Sequence, residues 1–230
     1  MIALGTSLTQ TVGRGGEPVT YPAAVASALS GATVRQLSYW RSARSAEGPL
    51  LAPELHMPRT RVSYSFRDVV ALRTFVFLRS RNVPLQRVRK AVRSLRELGE
   101  QKHLSAYRLV SMGKEVVWWP SETVAIDLTG QPAHQVIAEM LDILGRFRAQ
   151  DGHEVLPLLR PVPGVAVDPE VRGGYPVVEG TRVPYDIVAG LVDDGLGPEE
   201  IAGFYPSVRS ADVRGASEFA HYVNQRRPAA

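Results

Sequence analysis

The sequence predicts a mainly α protein with small β hairpins, built from two dissimilar parts. Three observations carry that prediction. Apolar residues recur at helical spacing in short segments closed by Gly or Pro, while period-two alternation is confined to a few short runs. A chain of 230 residues, 44% apolar and 22% charged, is long and apolar enough for the cores of two ordinary domains. The charge is also split by position: residues 1–110 hold 17 Arg/Lys against 6 Asp/Glu, and residues 111–230 hold 10 against 17. A basic half attracts polyanions. No run of about 18 apolar residues is present to span a membrane, so nucleic acid is the polyanion expected, and the acidic half needs a different partner.

Residues 1–19, with Gly5, Gly13, Gly15 and Gly16, lack the apolar stretch of a signal peptide and read as a flexible leader, so a cytoplasmic location is expected. Pro22 fits the first turn of a helix with Val25, Ala28 and Leu29 on one face, broken at Gly31. Thr33 and Gln36 have the spacing of a capping box opening a second helix, with Val34, Leu37 and Trp40 or Arg41 following at helical intervals. Short helix, tight turn and short helix is the punctuation of a helix-turn-helix. Ser42 to Pro58, interrupted by Gly48, Pro49 and Pro53, reads as a wing or loop. Val69, Leu72, Phe75 and Val76 form the stripe of a third helix over 68–78. From Pro84 a fourth helix turns Leu85, Val88, Val92 and Leu95 inward and leaves Arg87, Arg89, Lys90, Arg93 and Arg96 outside, ending at Gly99. Residues 20–100 form this winged helix-turn-helix domain.

Residues 101–150 read as a connector suited to dimerisation. It has a hairpin, Tyr107 and Leu109 against Val116 to Trp119, and a helix from Pro132 carrying Val136, Ile137, Met140, Leu141 and Leu144. Residues 151–165, with Pro157, Pro161, Pro163 and Gly164, are expected to be a linker. In 166–225 a small three-helix module follows: two short strands around a Glu179–Gly180 turn, then helices 185–194, 198–205 and 211–224, the last capped by Ser210 with Val213, Ala216, Phe219, Ala220 and Val223 on one face. Residues 226–230 form a tail.

The segment Gly31 to Trp40, continued through Arg61 to Leu72 and Val83-Pro84-Leu85, resembles the MerR-like winged helix-turn-helix family, which implies DNA binding over about residues 20–98. The dimerising coiled coil that MerR regulators place next is replaced here by the hairpin. A second block, Asp168-Pro169-Glu170-Val171, Gly174 to Pro184, Pro198-Glu199-Glu200-Ile201 and Tyr205-Pro206, resembles the small VapB-like antitoxin family. Members of that family often accompany PIN-type ribonuclease toxins. Together the resemblances imply an antitoxin module and a VapB-type antitoxin, a homodimer that represses from its own double-stranded operator DNA and neutralises a cognate PIN-domain ribonuclease toxin. The competing reading is a ligand-responsive MerR-type transcriptional regulator.

On the basic half, Arg35, Gln36, Ser38 and Tyr39 start the candidate recognition helix, where Arg and Gln can pair bidentately with base edges. Arg35 can equally be a solvated charge, and Gln36 can be spent on its capping box. Arg41, Arg44, Arg59, Arg61 and Arg67 surround the expected wing, placed to grip phosphates. On the acidic half, Phe219, Tyr222 and Val223 of the last helix and Arg226 and Arg227 of the tail are the candidate toxin contacts, an inserted Arg suiting a carboxylate-rich active site. Trp118 and Trp119 point to opposite faces of a strand, so one can serve as an interface anchor. Catalysis is not expected. With no Cys, and with His56, His103, His134, His153 and His221 scattered away from spaced carboxylates, no metal site, cofactor or general base is indicated.

Overall fold

The computed structural model describes residues 20–42, 48–54, 62–97, 109–112, 115–121, 124–127 and 140–227. It is mainly helical, with small antiparallel sheets. The first part runs β1 (Tyr21–Pro22), α1 (Ala23–Ser30), α2 (Val34–Arg41), β2 (Ser63–Tyr64), α3 (Phe66–Ser80) and α4 (Leu85–Glu97). Gly31 ends α1 with φ at 80°, a left-handed cap that glycine adopts at least cost. Thr33 caps α2 with the capping box expected, its hydroxyl accepting from the Gln36 amide and the Gln36 carboxamide accepting from the Thr33 amide. A second capping box, Ser65 with Asp68, opens α3 and lies just ahead of the stripe that marked that helix. β1 pairs with β2, bringing Tyr21 opposite Tyr64 across the start of the domain.

The connector holds an antiparallel sheet of β3 (Leu109–Met112), β4 (Glu115–Ser121) and β5 (Val124–Asp127), so the hairpin gains a third strand that weak alternation did not signal. Trp118 and Trp119 are on β4. Of the helix expected from Pro132, only α5 (Met140–Leu144) lies within the described residues. The stretch expected to be a linker is ordered structure. β6 (Phe147–Arg148) pairs with β7 (Glu154–Val155), and β8 (Val165–Ala166) pairs with β9 (Val177–Val178). The apolar residues around its prolines explain this, since Val155, Leu158 and Val165 are fully buried. The turn expected at Glu179–Gly180 forms, closed by an antiparallel bridge from Val177 to Pro184 and by the Val178 amide donating to the Val183 carbonyl at 2.9 Å, while β8 pairs with β9 in addition and Arg172–Gly174 is a 3-10 turn.

Helices α6 (Tyr185–Asp193), α7 (Pro198–Phe204) and α8 (Ser210–Asn224) complete the chain. Arg209 occupies the cap position of α8, and Ser210, expected there, is its first helical residue. The two parts share one core. One continuous core runs from Tyr21 and Leu29 through Phe75 and Val155 to Phe219 and Val223, and α8 packs on α1 as well as on α6. Glycines permit the close approach. A Cβ on Gly31 would lie 2.5 Å from Val155, one on Gly174 would lie 2.6 Å from the Tyr21 hydroxyl oxygen, and one on Gly215 would lie 1.9 Å from the Pro163 carbonyl oxygen.

Arg73, on α3, is the polar centre of this junction and is fully buried. Its guanidinium donates to the carbonyls of Leu29 at 2.5 Å, Ile143 at 2.5 Å, Gly145 at 2.5 Å and Leu156 at 2.7 Å, and stacks 5.0 Å from the centroid of Phe147. Burial pulls its pKa down to about 9, which still leaves it cationic near neutrality. Converging carbonyl dipoles offset the cost of taking the charge out of water. One side chain thereby ties the end of α1 to the end of α5 and to the strand region beyond it.

Candidate nucleic-acid interface

Helix α2 divides cleanly. Leu37 and Trp40 are buried, Trp40 edge-on to Phe75 of α3 at 5.9 Å, while Arg35, Gln36, Ser38 and Tyr39 are exposed together on the opposite side. The capping box holds the first turn, and the chain returning after the helix donates from the amides of Leu50 and Leu51 to the Trp40 carbonyl at 2.8 and 3.3 Å. Both ends of a short helix are therefore fixed, which an eight-residue helix needs because propensity alone would leave it marginal. Gln36 closes the box and remains exposed, so both roles read from its position are compatible.

The arginines around the expected wing differ from one another. Arg41 is half-buried, its Nη1 donating to the Tyr64 hydroxyl at 3.5 Å. The Tyr64 phenol is pushed up by burial, against the opposing pull of Arg41. Arg67 is engaged internally, pairing with Glu54 at 3.2 Å. The Ser65 hydroxyl donates to the same carboxylate at 2.8 Å, and the Glu54 amide donates to Asp68 at 3.2 Å. Through Nη1, Arg67 is thus already partnered with Glu54 in the free protein. Arg44, Arg59 and Arg61, and with them most of the expected wing, lie outside the described residues.

Arg89 is the residue that pattern reading missed. Periodicity puts it on the polar side of α4, yet only 8% of it is exposed. Its guanidinium lies over the Tyr39 ring, and its Nη1 donates to the Gly48 carbonyl at 3.1 Å. No local signal could have found this, because both partners are distant in sequence.

In the C-terminal part the structure corrects the candidate partner surface. Phe219 and Val223 are 0% and 3% exposed, with Phe219 packed edge-on to Tyr185 at 4.8 Å. The apolar face of α8 is thus occupied by the chain's own core and is not open to a partner. Tyr222 is half-buried, its hydroxyl donating to the Glu154 carbonyl at 3.2 Å. Arg226 stacks on the Tyr222 ring and donates to its hydroxyl at 3.0 Å, while Arg227 is exposed. His153 pairs with Asp151 two residues away, a neighbour that the scattered-histidine reading did not anticipate. Among the described residues no group of His, Asp and Glu is arranged to hold a metal, and no helix is long and apolar enough to cross a membrane.

Residues 21–95 match a family profile described as MerR HTH family regulatory protein, and residues 165–220 match one described as a protein of unknown function, DUF433. The chain thus carries a MerR-like helix-turn-helix domain and a DUF433 domain. The first points to DNA-binding transcription regulation, and to a regulatory protein rather than an enzyme. No curated protein matches the chain. The crystal structure of Rv2018 from Mycobacterium tuberculosis is similar in fold, with a TM-score of 0.52 at 17% identity, covering 87% of this chain and 98% of that one.

Proposed function

We propose that this chain is a repressor of the toxin–antitoxin type, which binds its own operator as a homodimer and neutralises a PIN-domain ribonuclease toxin. The observation that carries the DNA half is the exposed set Arg35, Gln36, Ser38 and Tyr39 on a helix anchored by Leu37, Trp40 and its cap. One such helix makes few base contacts, and a two-fold pair doubles them, hence the dimer. Arg41, Arg44, Arg59 and Arg61 serve as phosphate contacts in this reading. The toxin half is supported by the resemblance of residues 168–206 to VapB-like antitoxins. The acidity of residues 167–225, which hold 10 Asp/Glu against 4 Arg, also disfavours a second DNA site there. With the apolar face of α8 covered, toxin contact falls to exposed groups, Arg227 and the rim of Tyr222 and Arg226.

The test is co-expression of the full chain with the product of the neighbouring reading frame, which this reading expects to be a PIN-domain protein, scoring complex formation and ribonuclease activity, together with gel shifts on the upstream DNA. Co-purification with loss of nuclease activity supports the reading. A chain that shifts its DNA but leaves the neighbour's nuclease untouched removes the antitoxin half. The ligand-responsive regulator keeps one observation in its favour: the Arg73 junction and the shared core mechanically link the acidic part to α1, as a ligand-driven regulator requires.

A further inference from the structure

Tyr39 is 55% exposed in the middle of the polar face of α2. A tyrosine on an open helix surface samples several rotamers and loses that freedom only on binding, which weakens any contact it makes. Here the Arg89 guanidinium carbon sits 5.5 Å from its ring centroid, a planar cation over one ring face, while more than half of the residue remains in solvent. Arg89 is itself held, since only 8% of it is exposed and the Gly48 carbonyl accepts from its Nη1. Gly48 lies just ahead of Leu50, whose amide closes the end of α2. Arg89 therefore braces both the ring and the chain that terminates the helix bearing it.

We propose that Arg89 is a positioning residue for DNA recognition, holding the Tyr39 ring in the orientation from which it meets the duplex. The inference rests on the DNA-binding reading of α2. It assigns the arginine a role through Tyr39 and none in direct base contact, because so little of it reaches solvent. Lysine would keep the charge but not the planar face that stacks on the ring.

The test is a double-mutant cycle on the full-length protein. The wild-type chain selects a duplex from a randomised pool, and the ratio of Kd for a scrambled duplex to Kd for the selected one is measured for Arg89→Met, Arg89→Lys, Tyr39→Ala and the Arg89→Met/Tyr39→Ala pair, with thermal melts alongside. Arg89→Met is expected to lower the ratio about three- to fivefold. Arg89→Lys should recover less than half of that loss, and Arg89→Met should bring no further loss once Tyr39 is Ala. An unchanged ratio in Arg89→Met overturns the proposal, as does full rescue by Lys or an equal loss with and without Tyr39. Where Arg89→Met melts below the assay temperature, Arg89→Gln replaces it, keeping a donor for Gly48 without the stack. A wild-type chain that enriches no duplex at all overturns the DNA-binding reading itself, an outcome distinct from failure of the cycle.

Discussion

Helices α2 and α8 are both amphipathic, and the molecule uses them in opposite ways. On α2 the apolar residues Leu37 and Trp40 serve as anchors, and the polar side is left in solvent with Tyr39 more than half exposed. On α8 the apolar side, Val213, Ala216, Phe219 and Val223, is almost wholly covered, by α6 and α1 among others, and only its polar edge and the residues beyond it face outward. A helical stripe shows that a face will be covered but not by what. For α2 the covering elements are α1 and α3 of the same domain. For α8 they include the far end of the chain, so a face that reads as a partner surface is the weld between the two parts.

That contrast is broken most severely at the weld. Arg73→Ala should destabilise the protein by about 3–5 kcal/mol, because several carbonyls lose their donor in a buried site. The wild-type chain is expected to unfold in a single calorimetric transition, and Arg73→Ala should split or broaden it as the two parts separate. Two unchanged, superimposable transitions would mean that the junction is held without it. Phe219→Ala should cost a similar or slightly smaller amount through the cavity it leaves. Denaturant unfolding of the full chain measures this, and a loss under about 1 kcal/mol would reopen the apolar face of α8 as a partner surface.

Gly215→Ala sharpens the same point at smaller magnitude. Its Cβ would fall 1.9 Å from a backbone oxygen of Pro163, so the helix or the strand region must shift, at about 1–3 kcal/mol. A melt unchanged from wild type would show that the contact yields freely. Arg35→Ala has the smallest effect on folding, within about 0.5 kcal/mol, since the side chain is exposed. It should nonetheless cost about 1–3 kcal/mol of binding to the selected duplex and relax preference at one base pair per half-site. Equal losses on selected and scrambled duplexes would move Arg35 from base reading to phosphate contact.

The parts of this molecule legible in the sequence are those governed by near neighbours. The Thr33–Gln36 capping box and the Gly31 stop are set by residues within a few positions of one another, and the structure has both. Some local features still escaped reading. Ser65–Asp68 is a capping box whose third position is Asp rather than Glu or Gln, and β8 sits among prolines that look like linker although its own residues are apolar.

What determined the rest is contact between segments far apart in the chain. Charge segregation and the helix-turn-helix punctuation are properties of the sequence by itself, because charge counts and caps need no partner. The tertiary structure decided that Arg89 turns inward to Tyr39, that Glu54 claims Arg67, that Arg73 gathers carbonyls from three separate segments and that α8 seals its apolar face against α1. The physical reason is common to all four. A buried charge or an apolar stripe is stable only when something covers it, and which group covers it depends on how the chain is folded, not on the spacing of the residues that need covering.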